Sequence, residues 1–191
     1  MNKEKRIRKI DFGSDDVTGF IDSLDDVDLD ASFYLLLLAG PYKAGKKTVL
    51  GRLQKKLGEF MEIDLRDVID LNEEQCFRNI DELFEYIGET EKNLLFRHGD
   101  ALAGEYTGFT YSSTRYATPQ EKYLLRKING SEKFAVIDLD DVENIDKTLE
   151  RFAQTAILFN GPSSFPGKLL WRLKQVRVNG HRFSNKRPKS A

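Results

Sequence analysis

The chain has 191 residues, 40% of them apolar and 32% charged, with 30 basic side chains against 31 acidic ones. That length suits one sizeable core in a single soluble domain. The longest apolar run, 33–39, is too short to span a bilayer, so no membrane partner is expected. Cys76 is the one cysteine, which excludes an intrachain disulfide, and no apolar segment follows the polar start at 1–6 as a secretory signal requires. Together these features predict a cytoplasmic protein.

In chain order, residues 1–30 read as a polar, acidic N-terminal extension with one short helix over 17–24. Residues 33–39 are apolar throughout, as a strand covered on both faces should be. A helix is predicted from Lys46 to Leu57, with Val49, Leu50, Leu53 and Leu57 at helical spacing and Gly58 as its stop. Strands follow over 60–65 and 93–96. Between them, Asn72 is placed to cap a helix whose apolar face carries Phe77, Ile80, Leu83, Phe84 and Ile87. The Gly-, Ser- and Thr-rich stretch 104–114 reads as a loop. Pro119 suits the first turn of a helix carrying Tyr123, Leu124 and Ile128. Strand 134–139, a short helix at 146–152, strand 156–159, a turn at 162–167 and a last helix at 168–176 complete the core. Strands alternating with helices predict a mostly parallel sheet covered on both faces.

Charge is distributed unevenly. Every Asp and Glu lies at or before Glu150, and from Arg151 onward all charged residues are basic. The tail 177–191 could meet nucleic acid, an anionic surface or an acidic partner. It contains no recognisable nucleic-acid module, and a solvated end explains it as well.

Between the first apolar strand and the helix runs Gly40-Pro41-Tyr42-Lys43-Ala44-Gly45-Lys46-Lys47-Thr48. Backbone N–H groups of such a loop, with the positive end of the following helix, can hold a phosphate. The glycines allow the turns, and Lys46 would reach the terminal phosphates. The pattern fails at its last position. Lys47 stands where a magnesium-holding hydroxyl is needed, and Thr48 comes one place late.

This loop, together with Leu94-Leu95-Phe96-Arg97-His98-Gly99-Asp100-Ala101-Leu102, resembles the Walker A and Walker B segments of the AAA family of P-loop ATPases. Arg115-Tyr116-Ala117, Glu143-Asn144-Ile145-Asp146 and Leu170-Trp171-Arg172 resemble later segments of that family, so the likeness spans 33–172. A more distant likeness is to the AAA proteins that accompany phage-tail-like contractile injection particles. The resemblance implies a three-layer P-loop NTPase-like α/β core over 31–176, with a five-stranded, mostly parallel sheet in the order 5-1-4-3-2. The family's helical lid is expected to be absent. ATP or ADP would be the ligand, and Arg151 falls near the family's arginine-finger region.

The departures alter the chemistry that the resemblance implies. Arg97 stands at the metal-holding acid, His98 at the water-orienting acid, and Asp140 near the sensor amide. A lost general base alone costs about 10²–10⁴ in rate, and here both metal anchors are replaced as well. His98 is the titratable candidate for a substitute base. Asp138, Asp140 and Asp141 could suggest a metal site, and alternation sends Asp138 and Asp140 the same way, but no histidine joins them, so no dedicated metal site is expected and Mg²⁺ should not be held tightly. Two states of the site are open. The cations could replace the metal on a bound polyphosphate, or Asp140 could pair with Lys47 or Arg97 and close the site. The expected function is a hydrolysis-deficient, nucleotide-binding or formerly nucleotide-binding scaffold, partnered by an active AAA protein or its own copies. The alternatives are a slow ATPase aided by Thr48 or His98, and a nucleic-acid-associated protein using the basic tail.

Overall fold

In the computed structural model, which describes residues 7–24, 33–102 and 117–160, six strands form one sheet. They are β1 (Arg8–Asp11), β2 (Tyr34–Ala39), β3 (Phe60–Asp64), β4 (Asn93–Arg97), β5 (Phe134–Leu139) and β6 (Thr155–Leu158). The order is β1-β6-β2-β5-β4-β3, and every pairing is parallel. The expected sheet of five strands is therefore corrected to six. The added strand comes from the stretch read as an N-terminal extension, where only Ile10 of β1 is buried and the letters carry no strand pattern.

Helices cover both faces. One carries α1 (Asp16–Ser23) and α2 (Lys43–Leu57), whose Phe20, Ile21, Val49, Leu50 and Leu53 pack with Leu36, Leu38, Leu95 and Val136 of the sheet. The other carries α3 (Leu65–Val68), α4 (Glu73–Gly88), α5 (Pro119–Asn129) and α6 (Lys147–Phe152), packed on Leu35, Leu37, Phe96 and Ile137. Alternation along β2 sends neighbouring leucines to opposite faces, and Leu35 to Leu38 are all fully buried. Each is worth roughly 1.5–3 kcal/mol relative to exposure.

Helix starts follow side-chain chemistry. Asn72 Oδ1 accepts from Gln75 N at 3.0 Å, Thr118 Oγ1 from Glu121 N at 3.1 Å, and Asp146 Oδ1 from Thr148 N and Leu149 N at 2.8 Å each. One of these starts buries an acid. Glu121 is 3% exposed, and among the described residues its Oε1 has no hydrogen-bond partner. Burial, and then the neighbouring Asp146 carboxylate, pushes the Glu121 carboxyl up to about 8.

The loop expected at 104–114 lies outside the described residues, as do the turn at 162–167, the helix at 168–176 and the basic tail.

Candidate functional site: a lysine paired inside a charge row

At the end of β2 the backbone turns at Gly40, with φ of 122°. A Cβ there would lie 2.7 Å from the Phe159 carbonyl oxygen, so only glycine fits. Gly40 N donates to Leu139 O at 3.0 Å, and Phe159 N donates to Ala39 O at 2.7 Å. The loop is thus clamped between β5 and β6.

The loop is shorter than its sequence implies. Helix α2 starts at Lys43, three residues before the expected Lys46, and Lys46 N already donates to Tyr42 O at 3.2 Å. Thr48 Oγ1 donates to Ala44 O at 3.0 Å, so the displaced hydroxyl serves the helix. The cause is tertiary. A Cβ on Gly45 would meet the rings of Tyr42, Phe12 and Phe159 at 2.7, 2.9 and 3.0 Å. Phe12 stacks on Phe159 at 4.8 Å between centroids and meets Tyr42 edge-on at 5.7 Å. The three rings press on the helix start where an open phosphate loop would stand.

Lys46 is 2% exposed. Its Nζ donates to Asp138 Oδ1 at 2.7 Å and to Leu139 O at 2.6 Å. Asp138 Oδ2 accepts from Arg97 Nη1 at 3.2 Å, and Arg97 grips Glu62 through Nε at 3.1 Å and Nη2 at 3.3 Å. Glu62 of β3, Arg97 of β4, Asp138 of β5 and Lys46 of α2 therefore form one row of alternating charge across the sheet face. Burial works against the Arg97 charge, but Glu62 and then Asp138 outweigh it and raise its proton affinity.

The expected pairing of Asp140 is corrected. Asp138 takes Lys46 and Arg97, while among the described residues Asp140 approaches only Lys43, at 3.9 Å between exposed groups. Alternation explains the choice. Asp138 is still in β5 and faces α2, whereas Asp140 lies past the strand end. There Asp100 receives the amides of Asp140 and Asp141 and the Asn144 side-chain amide, fixing the turn.

His98 has φ of 56°, a left-handed conformation that side chains rarely adopt. Its Nδ1 lies 3.1 Å from Asp64 Oδ1. Hydrogen bonds from Arg66 hold the Asp64 carboxyl well below the usual carboxylate range. A cleft of about 680 Å³ opens beside this group, between α2 and strands β3 to β5. Lys43, Lys47, Gln54, His98 and Asp140 line it, with Leu50 and Leu95 among its apolar lining.

Of the expected site residues, the structure brings together Gly40 to Thr48, Arg97, His98 and Asp140. Arg151 is not among them, because α6 packs on the opposite sheet face from α2. Glu62, Asp64, Phe12 and Phe159 were not singled out from the sequence, and Asp138 was weighed only as a metal ligand. The one legible signal was the alternation of Phe60, Glu62 and Asp64 in β3. Among the described residues, no cluster of three or more His, Cys, Asp or Glu could hold a metal, and no helix is long and apolar enough to cross a membrane.

Fold and site define an α/β domain with a parallel six-stranded sheet and a glycine loop whose lysine is paired internally. No family model matches the chain, and no curated protein matches it. Among solved structures, a chain of the E. coli MS115-1 HORMA:CdnC:Trip13 complex is similar, with 16% identity and a TM-score of 0.50, over 82% of this chain and 67% of that one. At that identity the likeness shows the fold alone. The AAA membership implied by the motifs is therefore not upheld. The letters of the two motifs overlap with that family's, but Arg97 and His98 stand where its acids belong; here Arg97 pairs with Asp138 and Glu62, and His98 Nδ1 lies 3.1 Å from Asp64.

Proposed function

We propose that this chain is a non-hydrolysing, protein-binding module on a P-loop NTPase-like core, with its phosphate loop held shut by Asp138. The carrying observation is the buried Lys46 ammonium, bonded to both Asp138 and Leu139. A nucleotide would have to displace Asp138 from Lys46 before that ammonium could reach its phosphates, and the exchange offsets part of any binding energy. The helical start at Lys43 and the ring cover on Gly45 oppose binding in the same direction. The partner would be another protein or a second copy, and the similar solved structure is itself a multi-protein complex.

Calorimetric titration with ATP and ADP, with Mg²⁺ and with EDTA, tests the reading. The expected result is no binding at millimolar nucleotide in either condition, and no phosphate release. Magnesium-dependent micromolar binding, or turnover abolished by Lys46→Ala, would overturn it in favour of a slow ATPase.

A further inference from the structure

The cleft beside the closed loop has chemistry of its own. The strong cations Lys46 and Arg97 are already neutralised by Asp138 and Glu62. Lys47 is exposed and, among the described residues, has no ion-pair partner, and Lys43 meets only exposed Asp140 at 3.9 Å. An exposed pair at that separation is worth little and is easily exchanged for a ligand. The third group is His98. Asp64 is held ionised, so its oxygens can only accept, and the facing Nδ1 must be the one that carries a proton. Nε2 is then the ring's remaining polar atom, a donor only in the imidazolium form, on a side chain that is 40% exposed and lines the cleft. The left-handed backbone at His98 is the strained conformation that keeps the ring there.

Lys43, Lys47 and Gln54 lie along one side of α2, with Lys43 and Gln54 about 16 Å apart at ~1.5 Å per residue. The cleft therefore has a cationic end and, further along, an amide. Asp140 adds a carboxylate acceptor, and Leu50 and Leu95 add apolar surface. Its volume of about 680 Å³ is that of a small-molecule site, which spans roughly 300–1,000 Å³. A phosphate monoester carries about −1.5 to −2 at neutral pH, which two lysines match. A triphosphate would leave its remaining charge facing Asp138, Asp140 and Glu62.

We propose that this cleft is a metal-independent site for a phosphorylated polyol. Its phosphate would be held by Lys43, Lys47 and the Nε2–H of the His98 imidazolium, and its hydroxyls by Gln54 and Asp140. The proposal rests on the closed-loop reading, because the charge row is what leaves only these cations free.

Calorimetry of the full chain in EDTA at low ionic strength, with glucose 6-phosphate, glucose and inorganic phosphate, tests it. Glucose 6-phosphate should bind, inorganic phosphate roughly tenfold more weakly, and glucose not at all. Lys47→Ala and His98→Gln should each weaken the phosphorylated sugar about tenfold, and its addition should shift the His98 ring resonances in NMR spectra. Absence of binding overturns the proposal, and so does binding that both substitutions leave unchanged. Magnesium-dependent ATP binding abolished by Lys46→Ala would refute the closed loop instead, so the two failures are distinguishable.

Discussion

Replacing Glu121 by Gln should make the protein more stable at alkaline pH and change little at acid pH. The Glu121 carboxyl is buried, one of its oxygens has no partner among the described residues, and its affinity for protons is raised from 4.5 to about 8. Its protonated form belongs to the native state, so the stability it allows is complete below pH 4.5 and is lost as pH rises to 8. At about 1.4 kcal/mol per tenfold change in proton affinity, the full loss is on the order of 5 kcal/mol, of which about 3 is already incurred at pH 7. Glutamine keeps a donor for Asp146 and cannot ionise. Urea unfolding followed by far-UV circular dichroism at pH 5, 7 and 9 reads the effect. The two proteins should agree within about 1 kcal/mol at pH 5, and the Gln variant should gain several kcal/mol by pH 9. Both proteins share every other ionisable group, so the difference reports Glu121 together with its neighbour Asp146. Parallel stability curves from pH 5 to pH 9 would refute the assignment of a buried neutral acid.

Other outcomes follow from the closed loop. Asp138→Ala leaves the Lys46 ammonium buried and should cost about 3–5 kcal/mol in denaturant unfolding, while Lys46→Met with Asp138→Leu should recover most of it. Gly40→Ala forces a Cβ against the Phe159 carbonyl at positive φ, and should lower stability by at least about 2 kcal/mol in a thermal melt. Phe12→Ala should lose about 0.5–1.5 kcal/mol of ring–ring contact beyond its buried area, measured by the same melt.

What the letters disclosed depends on where each element gets its stability. Strand β2 is apolar at every core position, and α2 spaces Val49, Leu50 and Leu53 as a helix must, so both are visible locally. Strand β1 shows nothing, because its one buried residue owes its place to β6 far along the chain. The start of α2 was misplaced for a similar reason. A glycine-rich loop and a helix turn look alike at Gly45 until Phe12 and Phe159, distant in sequence, press against it. At the site the residue types were legible and the partners were not. Both Asp138 and Asp140 could be seen to face one way, but the point where β5 ends decides which of them meets Lys46 and Arg97.

The placement of β1 also sets a timetable. Its hydrogen-bonding partner, beginning at Thr155, is the last strand of the described sheet to leave the ribosome. At about 5–20 residues per second, the roughly 150 residues between Arg8 and Thr155 keep β1 waiting for about 7–30 s. During that interval Phe12 has no Phe159 to stack on, and Gly45 lacks two of the rings that cover it. The ring cover over Gly45 is therefore completed last, by the meeting of the first and last strands of the described sheet, and a nascent chain passes through a stage in which Gly45 stands uncovered.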